Sequence, residues 1–354
     1  MEIEMIFMTE KWNEKYDNFL YLSENALFYH SEKYIRLLEK ILLDCEFKRI
    51  LAISNNEILA SMAFVVKKSE LGNVVNSLPF FGSHGSVVSL EGTPKFVKKM
   101  VFDKFYDFCV KEEVLSSTII ENISTDDREI LESFPYTFKE VRFGNITKLV
   151  QNESVYSGRD LLLTFDGKTR NAISKSRKSG FKFAIEDGDE VIDEIANLHY
   201  ENMRAKNGIS KPQEFFFWIK KIFEPGKDYR IYTARTSNGI LAAGALLFYF
   251  KNYVEYFVPV IDINFRNLQP LSGLIFQAMV DATEQGKYTY WNWGGSWLSQ
   301  EDLRKFKSKW GASEFTYQYY VRLYSRGDVL LGTKKETIQN QFPFFFTVPF
   351  SELE

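Results

Sequence analysis

Hydrophobic and polar positions along this chain fall into one succession of elements that occurs twice. Residues 49–64 run as a β-branched strand into a turn at Asn55 and Asn56 and out into a second, nearly all-apolar strand, and residues 230–248 do the same around Asn238. Apolar runs bounded by turn residues in this way predict a β-hairpin at each place. A helix over 31–43 precedes the first hairpin; helices over 189–206 and 212–223 precede the second. Each hairpin is followed by a third strand (73–79 and 252–260), a long amphipathic helix (94–112 and 270–286) and another strand. In the later helix Leu271, Leu274, Ile275, Ala278, Met279 and Ala282 form one stripe at helical spacing. Pro270 suits its first turn and Gly286 its C-terminal end. The repetition predicts two α/β domains of one architecture, joined near residues 145–160.

Composition narrows the chemistry. A chain of 354 residues, 45% hydrophobic and 26% charged, is long enough for two domains with real cores. The net charge of -3 argues against DNA and against broad nucleic-acid binding, which depends on many phosphate contacts, and leaves room for a local basic patch. An aromatic share of 16% fits either aromatic-lined clefts or a biased base composition. Cys45 and Cys109 are the two cysteines, and His30, His84 and His199 lie far apart without ligand spacing, so neither a disulfide framework nor a metal site is expected. The start, Met-Glu-Ile-Glu-Met, lacks the basic and apolar regions of a signal peptide. The longest apolar run, 240–250, falls short of the roughly 20 residues of a membrane helix. A cytoplasmic protein without a membrane span is the expectation.

Five stretches carry a resemblance: Phe28-Tyr-His-Ser-Glu-Lys-Tyr34; Asn76-Ser-Leu-Pro-Phe-Phe-Gly-Ser-His-Gly85; Arg170-Asn-Ala-Ile-Ser-Lys-Ser-Arg-Lys-Ser-Gly180; the Pro270 helix running on to Gly294-Gly295; and Leu303-Arg-Lys-Phe-Lys-Ser-Lys-Trp-Gly311. In this order and spacing they resemble the FemABX-like family, the peptidoglycan-bridge aminoacyltransferases and their acyltransferase relatives in polysaccharide loci. The resemblance implies an α/β fold of mixed sheets, with two tandem GNAT-like (acyl-CoA N-acyltransferase) domains. The first would span 1–150, with 325–354 returning to it, and the second 151–324. It also implies transfer of an acyl or aminoacyl group to an amine of a cell-envelope precursor, either a peptidoglycan stem peptide or a nucleotide-linked amino sugar. No tightly bound cofactor is implied; the donor arrives as a cosubstrate, aminoacyl-tRNA or acyl-CoA. A coenzyme A-dependent N-acyltransferase, and a binding protein that keeps the cleft but transfers nothing, stay open beside this reading.

The residues distribute among these roles. Lys307 after Phe306 matches the Phe-Lys pair to which the resemblance assigns stabilisation of the tetrahedral oxyanion, although the run Arg304-Lys-Phe-Lys-Ser-Lys309 reads equally as a solvated basic helix face. Along residues 253–259 alternation puts Tyr253 and Glu255 on one side and Tyr256 on the other, which makes Glu255 a candidate base, or an edge-exposed carboxylate, and Tyr256 the acceptor-contacting phenol implied by the resemblance. Arg170 and Lys175, in a basic helix expected over 167–179, could hold phosphates of a nucleotide-linked acceptor or of the donor, or could be solvated. Arg204 sits near His199 on a helix. Trp291 and Asn292 lead into Gly294-Gly295 at a strand end, where open α/β sheets present ligands. For the donor, Pro270, Ser272 and Gly273 occupy the place of the Arg/Gln-x-x-Gly-x-Gly/Ala loop; Arg266-Asn-Leu-Gln-Pro-Leu-Ser-Gly273 keeps one glycine and gains a proline, which weakens a pyrophosphate site and favours aminoacyl-tRNA. The loop 79–85 offers backbone N–H groups to an anion, or is a plain turn.

Overall fold

The computed structural model describes residues 2–78, 80, 84–123, 127–151, 154–155, 157–206 and 208–353. Pro79, Phe81, Gly82 and Ser83 of the candidate anion loop lie outside the described residues. Two compact units are present: residues 1–142 with 316–354, and residues 143–315. The sequence expectation put the divisions near 150 and 324. They fall instead inside two strands, Phe138–Lys148 and Ser313–Leu323, each of which begins in one unit and ends in the other. A continuous strand carries no turn signal, so no breaker residue marks the change.

In the first unit the strands follow the order Glu4–Phe7, Cys45–Ser54, Glu57–Lys67, Val74–Asn76, Ser116–Ile120 and the later part of Ser313–Leu323. The hairpin between the second and third closes on Asn55 (φ 50) and Asn56 (φ 63), two consecutive left-handed residues that match the twist of the strands they join. Val74–Asn76 and Ser116–Ile120 run parallel, so helix Lys95–Lys111 must carry the chain back between them. Its Val97, Val101, Phe102 and Phe105 pack on Ile50, Ala60, Met62 and Phe64. The strand expected over 73–79 stops at Asn76, before the backbone turns left-handed at Leu78 (φ 51).

The second unit repeats the plan. Its strand order is Phe143–Lys148 (the end of the first boundary strand), Tyr290–Ser296, Tyr253–Ile261, Leu241–Phe250, Tyr229–Arg235 and Lys182–Glu186. Tyr253–Ile261 and Tyr290–Ser296 are the parallel pair, joined by helix Pro270–Glu284. That helix begins at Pro270, as expected, and its Leu274, Ile275, Ala278, Met279 and Ala282 face Tyr232, Ala243, Ala245 and Leu247. Helix Asp189–Arg204 covers the opposite face; a Cβ on Gly244 would stand 2.1 Å from Ile195, so glycine is what lets the two approach.

Gly273 has the same kind of role. It faces helix Gly167–Lys178, and a Cβ there would lie 2.4 Å from Ser176 Oγ, 2.9 Å from Ser176 Cβ and 2.7 Å from the Phe183 ring. Gly273→Val should therefore destabilise the protein by about 1–3 kcal/mol, read as a lower melting temperature. Adding Ser176→Gly should recover part of the loss. An unchanged melting temperature for Gly273→Val would mean that the helices are not in contact there.

Candidate active site

Strand Tyr253–Ile261 alternates as its sequence demands: Val254 and Tyr256 join the core under helix Pro270–Glu284, and Glu255 points the other way. Glu255 is 1% exposed, and its register partner on the parallel strand is Asn292, also 1% exposed. A buried carboxylate needs donors. Asn292 Nδ2 supplies one at 2.9 Å to Glu255 Oε2, while Asn292 Oδ1 accepts from Gly294 N at 2.9 Å. The strand then shifts register between Asn292 and Gly295, at Gly294, whose φ of 71 suits glycine.

That turn is held from behind by Lys307. Helix Glu301–Ser308 presents Lys307 inward at 4% exposure, with Nζ donating to Gly294 O at 2.8 Å, Gly295 O at 3.0 Å and Ser296 Oγ at 2.8 Å. These three acceptors match the three protons of an ammonium. Burial pulls the Lys307 pKa down to about 8, and the Glu314 carboxylate opposes that in part. The solvated-face reading of the basic run thus fails at Lys307, while Arg304 grips Glu314 through Nε (2.8 Å) and Nη2 (2.6 Å), and Lys305 pairs with Glu301 (2.7 Å).

An aromatic wall stands beside the turn. Trp293 lies 5.0 Å from Tyr256, 6.0 Å from Phe306 and 5.7 Å from Trp310, ring centre to ring centre, and its indole N–H donates to Thr147 Oγ1 at 2.9 Å. Burial pushes the Tyr256 phenol pKa far up, so it stays protonated as a donor.

The structure thus brings Glu255, Asn292 and Lys307 into one hydrogen-bonded line and sets Tyr256 and Phe306 in the adjoining wall. Trp291, expected to meet substrate, has no exposed surface and belongs to the core, because alternation turns it inward beside Val254. Arg170 and Lys175 are exposed on helix Gly167–Lys178, with Arg170 Nη1 turned back to Phe165 O at 2.5 Å. Arg204 is exposed in the last turn of its helix and, among the described residues, shares no hydrogen bond with this line. Of the donor residues, Pro270 and Gly273 are buried, and the N–H groups of Ser272 and Gly273 both reach Gln269 O, at 3.0 and 3.4 Å. His199 accepts from Lys211 N at 3.0 Å and serves packing. Ser296 and Thr147 had no sequence signal beyond their neighbours, the Gly-Gly turn and a strand.

Residues 166–308 match the family model described as acetyltransferase (GNAT) domain. No curated protein sequence matches the chain. Among solved structures, FemX superposes with a TM-score of 0.66 at 14% identity over 90% of this chain and 97% of its own. L-PGS from Bacillus licheniformis gives 0.56 at 16% over 88% and 96%. A tandem GNAT protein from the clavulanic acid biosynthesis pathway gives 0.54 at 7% over 91% and 98%. At these identities the likeness is one of fold, two GNAT domains in tandem.

The buried ammonium makes a pH prediction. The folded pKa of Lys307 lies below its ordinary 10.5, so between about 8 and 10.5 the unfolded chain holds more protons at this site. The cost of burying the charge is in full force below about 8 and is relieved as pH rises through that window. Relative to Lys307→Met, the wild type should gain stability from pH 7 to pH 10, by at most roughly 3 kcal/mol. A pH-independent gap in denaturation midpoints would show that Lys307 is not a buried cation.

Proposed function

We propose that this enzyme, an acyltransferase with the FemABX-like duplicated GNAT fold, moves an acyl or aminoacyl group onto an amine of a cell-envelope precursor, a peptidoglycan stem peptide or a nucleotide-linked amino sugar. The observation that carries this reading is the buried line from Glu255 through Asn292 and the Gly294 turn to Lys307. Attack of a neutral amine on the donor carbonyl puts negative charge on its oxygen, and stabilising that charge is the demanding part of the reaction. Lys307 supplies the cation. Its bonds to Gly294 O and Gly295 O are fixed by the backbone, whereas Ser296 Oγ can swing away by a rotamer change and release one ammonium proton to the oxyanion. Phe306 walls the site and keeps water from that charge. Glu255, held by Asn292, takes the proton of the attacking amine, whose own pKa near ~8 asks little of a base. Collapse of the intermediate then breaks the bond from the acyl carbon to the donor's ribose oxygen (or sulfur, for a thioester), and that leaving group departs with the proton.

Tyr256 contacts the acceptor, while Arg170, Lys175 and Arg204 lend positive charge to phosphates at the surface. For the donor, Pro270 lacks an N–H and those of Ser272 and Gly273 are spent on Gln269 O, which supports aminoacyl-tRNA over acyl-CoA as cosubstrate. The cytoplasm is the compartment this reading requires. Among the described residues no helix is long and apolar enough to cross a membrane.

Lys307→Met should lower turnover on the order of a hundredfold or more while acceptor affinity stays nearly intact. Unchanged turnover removes Lys307 from the mechanism, and no transfer by the wild type with any donor favours a binding protein. Wild-type turnover should also fall as pH rises through about 8, where Lys307 loses its charge. Acetyl-coenzyme A should bind more weakly than ~100 μM, only about 5 kcal/mol; micromolar binding by calorimetry would promote a coenzyme A-dependent N-acyltransferase instead.

A further inference from the structure

The parallel strand pairs of the two units can be aligned residue by residue. Tyr253, Val254 and Glu255 pair with Tyr290, Trp291 and Asn292 in the second unit; Val74, Val75 and Asn76 pair with Ser116, Ser117 and Thr118 in the first. The third position of each pair is polar and buried on both strands: Glu255 and Asn292 at 1%, Asn76 at 1% and Thr118 at 0%. In the second unit these two side chains bond to each other. In the first they bond to the backbone of a residue far along the chain. Thr118 Oγ1 donates to Phe346 O at 2.7 Å; in the amide orientation that satisfies its neighbours, Asn76 Nδ2 donates to the same oxygen at 2.9 Å and Asn76 Oδ1 accepts from Phe346 N at 2.8 Å.

The segment around Phe346 is buried. The Phe346 ring meets Tyr319 edge to face at 5.1 Å, under the Arg142 guanidinium at 5.4 Å. Thr347 and Val348 are buried at 2% and 0%. Phe344 is left-handed (φ 70), a backbone state that a bulky residue keeps only when its surroundings impose it, and its ring stacks edge-on against Phe80 at 5.2 Å.

We propose that the strand-end cleft of the first unit is a peptide-binding site, occupied in cis by residues 344–348 as an internal ligand. Its ligand class is a peptide with aromatic side chains, turned at Phe344 and recognised through the N–H and C=O of one residue, Phe346. A cleft so filled takes no substrate, so transfer belongs to the second unit alone; this last clause rests on the function proposed above.

In the full chain, Asn76→Leu with Thr118→Val should speed hydrogen exchange of the Phe346 amide tenfold or more and leave helix Pro270–Glu284 unchanged; unchanged protection at Phe346 overturns the proposal. If the double variant fails to fold, Thr118→Val alone, nearly isosteric, should give a several-fold change at the same amide, and no change counts against the proposal equally. Phe346→Pro, which removes the bonded N–H, should free the cleft for a fluorescein-labelled peptide of residues 344–350 added in trans. Saturable anisotropy that Thr118→Val abolishes supports the site; no binding to Phe346→Pro overturns it. Transfer by Phe346→Pro within about twofold of wild type supports the assignment to the second unit. If peptide binds but transfer is lost, the cleft stands as a site and the claim that it takes no part in transfer falls.

Discussion

Two neighbouring strands that run parallel cannot be joined by a tight turn; the chain must leave one end, cross a face of the sheet as a helix and return at the other. Each unit contains one such pair, and much else follows from it. The crossover helices Lys95–Lys111 and Pro270–Glu284 lay apolar side chains over one face. In each unit the parallel pairing stops at one edge, at Glu255–Asn292 and Asn76–Thr118, where polar side chains are buried together. Away from that edge the neighbouring strand Leu241–Phe250 is apolar throughout, as burial on both faces requires.

Within the second unit that edge is built around an ammonium held out of water. Leaving a buried charge unpaired would be very costly, and the protein answers with three oxygen acceptors at 2.8 to 3.0 Å. The backbone carbonyls of Gly294 and Gly295 can converge on one nitrogen because Gly294 adopts a left-handed φ. Burial sets both the stability and the charge of this edge, because it lowers the Lys307 pKa toward neutrality. Arg304 and Lys305, on the same helix, are matched by Glu314 and Glu301 nearer the surface, where such pairs contribute little energy and chiefly fix the helix in place.

The duplicated units have put one geometry to two uses. At the third paired position a carboxylate and an amide hold each other in the second unit, whereas an amide and a hydroxyl hold the C-terminal segment in the first. In the first unit both side chains turn their polar atoms to the Phe346 backbone, whereas in the second they bond to each other. The hydrogen-bonding partners chosen at one register position therefore distinguish the two units.

The alternation of hydrophobic positions, the paired hairpins and the Pro270 helix were legible in the sequence because they are local: a period of two or 3.6 and a turn residue act over a few positions. The duplicated architecture and the side of the strand taken by Glu255 follow from them. Contacts that join distant residues were not legible. Lys307 sits in a run of cations that any solvated helix could show, and only the packing of helix Glu301–Ser308 turns it onto Gly294, Gly295 and Ser296. Trp291 looked like a ligand contact and is core; Gly273, read as a donor-loop residue, lies at a helix crossing. The unit boundaries lie in unbroken strands and leave no local mark. Local propensity writes the elements, but burial is decided by what packs from elsewhere in the chain, so the charge state and the partners of the site belong to the tertiary structure.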